Sequence, residues 1–303
     1  MGFAAGALRR IEPRHAGDVR RTAQIRRESG LEIASDEDVV RFTRKRFAKA
    51  LYREGGVLPA IICARNEEDD LPGTLLSIAR TEALPIVVDN DSTDRTAEIA
   101  CHMGVIVRSQ PTGKKMAATQ QGVAYVRQEL GAKEALLTDG DTLVMPNWDR
   151  AMHKCLSQTN GEKGAVVYGN SLLMFGESRL ADLAASGINL MYGEMKESRG
   201  QLPITRGHNY GLYFDEQGVV EGVINGMNPE LFMGRDPSEH EDFQVGLALN
   251  AAGVSVISNL NPDAWVLTRH DRIHSVRDVL AAATGHASSV DQVLPSYVDE
   301  YGI

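Results

Sequence analysis

The stretch that decides the fold is PAIICARNEEDDLPGTLLSIARTEALPIVVDNDSTDRT, Pro59 to Thr96. Two short apolar runs, Pro59–Ala64 and Leu84–Val88, flank an amphipathic segment, Leu71–Arg80, and each run ends in a polar cluster. Runs of that length suit buried strands, and the segment between them suits a helix. The alternation continues. Ser92 or Thr93 can cap the next helix, which ends at Gly104, with Ser92 and Asp94 suited to an Asx turn or helix cap. Val105–Val107 reads as a third strand, Lys114–Leu130 as a helix stopped by Gly131, and Ala135–Thr138 as a fourth strand ending at Asp139-Gly140-Asp141. Strand–helix alternation predicts an α/β fold with a mostly parallel, Rossmann-like sheet flanked by helices. Ligands collect at the carboxyl ends of such strands. Arg65-Asn66-Glu67, Asp89-Asn90-Asp91, Gly113-Lys114 and Asp139-Gly140-Asp141 all fall there.

Before this core, Asp36–Tyr52 has helical spacing through Val39, Val40, Phe42, Phe47 and Leu51. Residues 1–57 read as a basic helical N-terminal extension. Residues 1–53 carry 13 Lys and Arg against 7 Asp and Glu, whereas the remainder carries 19 against 34. A basic arm on an acidic body can dock on that body, on a second copy as a homodimer, or on an anionic membrane surface. Beyond residue 150 the pattern loosens. Ala165–Tyr168 and Val254–Ile257 read as strands, Ser178–Met195 and Glu241–Ala252 as helices, and glycine-rich Tyr210–Asn228 as loops or short strands.

The 303 residues, 43 % hydrophobic and 24 % charged, suit a globular chain, and the net charge of −9 argues against a nucleic-acid partner. A nucleotide remains compatible, because a divalent ion can supply the missing positive charge. Cys63, Cys101 and Cys155 form no C-x-x-C pair, as expected of buried, reduced thiols. With no apolar run near the roughly 18 residues of a membrane span and no signal-peptide pattern, the chain reads as cytoplasmic or peripheral to the inner face of a membrane.

Asp139-Gly140-Asp141 alone is a weak signal, since any acidic turn after a strand produces one. Two aspartates one residue apart can nevertheless reach a hard divalent cation, with the glycine leaving room for a diphosphate. The order of the motifs adds specificity. Ala64-Arg65-Asn66-Glu67-Glu68, VVDNDSTDRT (Val87–Thr96), Gly113-Lys114, TDGDT (Thr138–Thr142) and Glu241-Asp242 resemble the ordered motifs of family 2 glycosyltransferases with the GT-A fold. The resemblance spans about residues 58 to 270. It implies a GT-A domain at 58–303, with a nucleotide-binding half at 58–145 and an acceptor-binding half at 146–303.

The resemblance implies a metal-dependent transfer of a sugar from a nucleotide diphosphate, with a UDP-sugar favoured, to an acceptor hydroxyl. By position, Ala64, Arg65, Glu67, Asp89, Asp91, Lys114, Asp139 and Gly140 would line the nucleotide-sugar site, with Asp89 accepting from the base. Asp141, Asp139 and His270 would hold Mn²⁺ or Mg²⁺. Asp242, beside Glu241, would be the general base of an inverting reaction. Thr119-Gln120-Gln121-Gly122 departs from the family's Asn and Gly spacing, which puts contacts from that helix in doubt. Trp148 is expected to pack, and His208 lies where related enzymes shape the acceptor or sugar pocket. A sugar nucleotidyltransferase lacks support, since its G-x-G-T-R-L signature is absent, and no G-x-G-x-x-G points to a dehydrogenase. The alternatives are a catalytically inactive GT-A nucleotide-binding scaffold and, despite its missing signature, a sugar nucleotidyltransferase.

Overall fold

A computed structural model describes residues 36–50, 56–159, 163–174, 209–227 and 241–269. The chain runs α1 (Asp36–Ala50), β1 (Pro59–Ala64), α2 (Leu71–Ile78), β2 (Leu84–Asp89), α3 (Thr96–His102), β3 (Ile106–Ser109), α4 (Lys115–Gln128) and β4 (Glu134–Asp139). It continues through β5 (Thr142–Val144), α5 (Trp148–Ser157), β6 (Ala165–Gly169), β7 (Ser171–Met174), β8 (Asn209–Tyr213) and α6 (Val219–Gly226). The described residues end with α7 (Glu241–Ala251), β9 (Ser255–Asn259), a 3₁₀ turn at Pro262–Ala264 and β10 (Val266–Arg269).

The main sheet has seven strands in the order β3-β2-β1-β4-β8-β6-β9. Four ladders are parallel, and β8 is antiparallel to both of its neighbours. The expected mixed α/β architecture with a mostly parallel sheet is therefore present. Every residue of β1 and β2 is buried, because helices cover both faces. Alternation sorts their side chains. Ala60, Ile62 and Ala64 join Leu71, Leu75, Ala100, Trp148 and Met152 on one face. Ile61 and Cys63 join Met116, Val123, Val220 and Leu249 on the other. Strands β1, β2 and β3 step outward in one direction, and the chain then returns to place β4 on the opposite side of β1. In open parallel sheets such a reversal marks where ligands bind, here the carboxyl ends of β1 and β4.

Helix α1 docks on its own body. Phe47 and Ala50 are buried, Arg46 donates from Nε to Ala79 O (2.8 Å) and from Nη2 to Thr81 O (3.1 Å), and Arg44 Nε donates to His102 O (2.8 Å). These guanidinium groups satisfy carbonyls at the carboxyl ends of α2 and α3, where the helix dipole favours a cation. No helix among the described residues is long and apolar enough to cross a membrane.

Some expectations need correction. Within Tyr210–Asn228, residues 219–226 are a helix, because Asp215 Oδ2 caps its start by accepting from Val219 N (2.9 Å) and Val220 and Ile224 supply a buried face. Helix α5 and strands β5, β7 and β10 were not anticipated; the last three form a small second sheet in the order β5-β10-β7. Of the three thiols expected to be buried, Cys101 is exposed and Cys155 half-buried. The helix expected at Ser178–Met195 lies outside the described residues.

Gly122 lets α4 lie directly on β1, since a Cβ there would come within 2.4 Å of Ile61 Cγ2. Alanine in a helix interior ordinarily gains about 1 kcal/mol over glycine, but overpacking a core costs about 1–3 kcal/mol. Gly122→Ala is therefore expected to lower the urea midpoint at unchanged slope. A neutral or raised midpoint would contradict this packing.

Candidate functional site

Two loops at the carboxyl ends of β1 and β2 are stitched into one unit. Asn66 and Asp91 both adopt left-handed backbone (φ 57° and 59°), which Asn and Asp tolerate better than most side chains. Ser92 Oγ accepts from Asn66 N (3.0 Å), Asn66 Oδ1 accepts from Thr93 N (2.8 Å), and Thr96 Oγ1 accepts from Glu67 N (2.8 Å). Asp94 accepts from Glu68 N (3.1 Å) and Thr96 N (2.9 Å), and Glu68 Oε2 accepts from Arg95 N (3.2 Å). Asp94 thus holds the start of α3, as the sequence suggested, whereas Ser92 and Thr93, expected to cap that helix, bond Asn66 instead because the helix begins only at Thr96. Asp91 is exposed.

Asp89 is different. It is 8 % exposed, its backbone carbonyl accepts from Gln110 N (2.7 Å), and its side-chain Oδ1 is buried with no hydrogen-bond partner among the described residues. A buried carboxylate oxygen without a donor costs about 1–3 kcal/mol or more, so this position favours an incoming N–H or O–H. Beside it, Arg65 Nη1 donates to Gly113 O (3.1 Å). Gly113 has φ +66°, and a Cβ there would sit 3.2 Å from Arg65 Cζ. Both requirements select glycine.

The acid pair follows on β4. Parallel register sets Cys63 beside Asp139 and Ala64 beside Asp89. Gly140 N donates to Cys63 O (3.1 Å), and Gly140 O accepts from Thr74 Oγ1 (2.6 Å). A Cβ at Gly140 would lie 2.9 Å from Glu67 Cγ and 3.0 Å from Ala64 Cβ. The space left by this glycine is therefore filled by β1 and its loop, which corrects the expectation that it is left open for a diphosphate.

Asp139 Oδ2 accepts from Lys115 Nζ at 3.1 Å. The neighbouring Asp141 is pushed up to about 7, first by burial and then by the negative charge of Asp139, with a smaller push from Asp70. Lys115 and the Thr142 hydroxyl, 3.2 Å from Asp141 Oδ1, pull the other way. That hydroxyl also meets Thr268 Oγ1 (3.3 Å), which meets Ser171 Oγ (2.7 Å), so a chain of hydroxyls crosses the second sheet to reach Asp141.

Two adjacent carboxylates, one of them reluctant to ionise, are suited to a hard divalent cation, which would relieve both burial and repulsion. No group of three His, Cys, Asp or Glu among the described residues is arranged to hold a metal. The pair on its own would leave coordination positions for phosphate oxygens and water, which is the usual habit of Mg²⁺ in nucleotide sites.

The remaining candidates divide clearly. Lys114 is the extended residue at the N-cap of α4, and Lys115, the first residue of that helix, donates to Asp139 of the acid pair. Lys115 was not singled out in the sequence. Asp70, also unanticipated, is buried at the start of α2 with its charge felt at Asp141. Trp148 is fully buried and donates from Nε1 to Asn209 Oδ1 (2.8 Å), the packing role expected. Gln120 Nε2 donates to Ile224 O (2.9 Å) and Met227 O (2.7 Å), and Gln121 Nε2 to Ser109 O (2.9 Å). The atypical segment of α4 therefore secures neighbouring elements. Glu241 and Asp242 open α7, but their side chains are outside what is described, as are His208 and His270.

The model of Glycosyl transferase family 2 matches residues 60–192. The matched segment runs from β1 through β7 and includes Asp89, Asp139 and Asp141. No curated protein matches the sequence. Among solved structures, S. aureus TarS in complex with UDP-GlcNAc is similar at 13 % identity and TM-score 0.47, covering 80 % of this chain and 71 % of that one. Glucosyl-3-phosphoglycerate synthase from Mycobacterium tuberculosis in complex with Mn²⁺, UDP-glucose and phosphoglyceric acid is similar at 15 % identity and TM-score 0.44, covering 85 % and 83 %. Mannosyl-3-phosphoglycerate synthase from Rubrobacter xylanophilus is similar at 18 % identity and TM-score 0.43, covering 84 % and 83 %.

The raised Asp141 has a sign that can be checked. Between its ordinary value near 4 and about 7, the folded metal-free chain holds a proton that the unfolded chain has lost. Stability must then fall as pH rises through that window, and Asp141→Asn removes the fall. Melts in chelator are expected to show Asp141→Asn gaining about 2–4 °C more over the wild type at pH 7.5 than at pH 5.5. An equal or smaller gain at pH 7.5 would contradict the assignment.

Proposed function

We propose that the protein is a metal-dependent, inverting glycosyltransferase that moves a sugar from a nucleotide diphosphate, with UDP favoured, to an acceptor hydroxyl. The observation that carries this reading is the acid pair Asp139 and Asp141 at the carboxyl end of β4, separated by β1 alone from the unsatisfied Asp89 carboxylate at the end of β2. The domain would run from 58 to 303, with the nucleotide held by 58–145 and the acceptor by 146–303.

Asp89 Oδ1 would accept the N3–H of uracil, which answers the missing donor. Arg65, held over Gly113, would close one side of the nucleoside pocket, with Ala64, Glu67, Asp91, Lys114 and Gly140 contributing to the same wall. Asp141 and Asp139, completed by His270, would hold Mn²⁺ or Mg²⁺. When bound, the ion supplies positive charge against the departing diphosphate. At the start of α7, Asp242, with Glu241 beside it, would take the proton from the acceptor hydroxyl as that oxygen attacks the anomeric carbon.

The test is a screen of nucleotide sugars for hydrolysis or transfer with Mn²⁺, followed by two variants. Asp242→Asn is expected to keep nucleotide affinity while losing about 10²–10⁴-fold in turnover. Asp141→Ala is expected to lose metal-dependent nucleotide binding. A wild type that neither binds nor turns over any nucleotide diphosphate would sink the proposal in favour of an inactive scaffold. Formation of nucleoside triphosphate from pyrophosphate would instead favour a nucleotidyltransferase.

A further inference from the structure

Lys115 occupies an unfavourable place for a cation. It is the first residue of α4, where the helix's positive end repels an ammonium group, and the first turn of α4 carries no acid to offset it. Its Nζ reaches instead across to β4 and donates to Asp139 Oδ2 at 3.1 Å. The pair is only partly screened, with side chains 36 % and 22 % exposed. Lys115 therefore brings a positive charge to one of the two carboxylates proposed to receive a divalent ion.

From this contact we propose that Lys115 is the resting counter-ion of the acid pair, and that it makes metal binding depend on the nucleotide. The inference rests on the transferase reading of the site. While the pair is empty, the ammonium neutralises Asp139. A divalent ion arriving alone must take an oxygen already engaged and lie near a like charge, which weakens its binding. A nucleotide diphosphate arriving with the ion brings negative charge that compensates both cations at once. Metal and nucleotide then bind together far better than either binds alone, which is a coupling between two ligands of one site. Substitution by a neutral side chain removes the competing charge and should loosen that coupling.

The experiment measures Mn²⁺ affinity by the free-ion electron paramagnetic resonance signal, without nucleotide and at saturating UDP, for wild type, Lys115→Met, Lys115→Gln and Lys115→Arg. Circular dichroism melts check that each variant is folded, and the Gln variant guards against a failure peculiar to Met. Both neutral variants are expected to bind Mn²⁺ about three- to tenfold tighter without nucleotide, and to show a correspondingly smaller gain on adding UDP. Lys115→Arg is expected to behave as wild type. Unchanged or weaker nucleotide-free affinity in the folded neutral variants overturns the proposal, as does failure of Mn²⁺ to bind any of the four proteins. UDP binding to wild type, titrated separately in the presence of Mn²⁺, reads the transferase proposal itself. Its absence would sink that reading while the nucleotide-free Mn²⁺ arm still decides the role of Lys115.

Discussion

The carboxyl ends of β1 and β4 touch, and that contact governs where the candidate site's side chains stand. Gly140 permits it: with any side chain there, a Cβ would press on Glu67 Cγ at 2.9 Å and Ala64 Cβ at 3.0 Å. The Thr74 hydroxyl then locks the Gly140 carbonyl from α2, and Cys63 O takes its N–H. Because the strands pair in parallel register, closing this one contact also sets Asp139 against the end of β1 and Asp89 on its far side. Two acidic strand ends thus flank a loop, Arg65 to Glu68, that is itself tied to the loop after β2. Five hydrogen bonds named above join the two loops, so the site's floor is a single unit built from residues 26 to 29 positions apart in sequence.

Electrostatics follow from that geometry. Holding two half-buried carboxylates one residue apart is costly, and the chain offsets the cost on two sides. Lys115 serves Asp139 from α4, and the Thr142 hydroxyl serves Asp141 from β5, backed by Thr268 and Ser171 in the second sheet. The small sheet thereby acquires a function beyond packing: strand β10, far along the chain, reaches an acid proposed to hold the metal. Asp141 remains reluctant to ionise even so. A site in this condition is poised to take up positive charge, which is what a metal-dependent nucleotide site requires.

How much of this was legible in the sequence depended on whether the signal was local. Strands β1, β2 and β4 stood out because both of their faces are buried, so that their residues form unbroken apolar runs. Their terminal acids followed from the rule for parallel sheets. Glycine markers at Gly104, Gly131 and Gly253 placed helix ends well, since each of these residues has positive φ. Strands β5, β7 and β10 were illegible, being three or four residues long and defined only by one another. Helix α6 was hidden by its glycines, Gly222 and Gly226, and is held by the Asp215 cap and the Gln120 side chain from a distant helix. That Lys115 meets Asp139 could not be read without knowing on which residue α4 begins. The space at Gly140 could not be assigned without seeing that β1 fills it. Contacts between residues far apart in sequence carry no local pattern, and those are what set the details of the site.

The account turns on one placement: a divalent ion on Asp141 and Asp139 with a nucleotide base at Asp89. Anomalous scattering at the manganese edge, from crystals grown with Mn²⁺ and UDP, addresses it directly. The expected result is a single strong peak within about 2.5 Å of an Asp141 carboxylate oxygen, with the uracil N3 in hydrogen-bond reach of Asp89 Oδ1. A manganese peak elsewhere, or a nucleotide bound away from the ends of β1, β2 and β4, would contradict it.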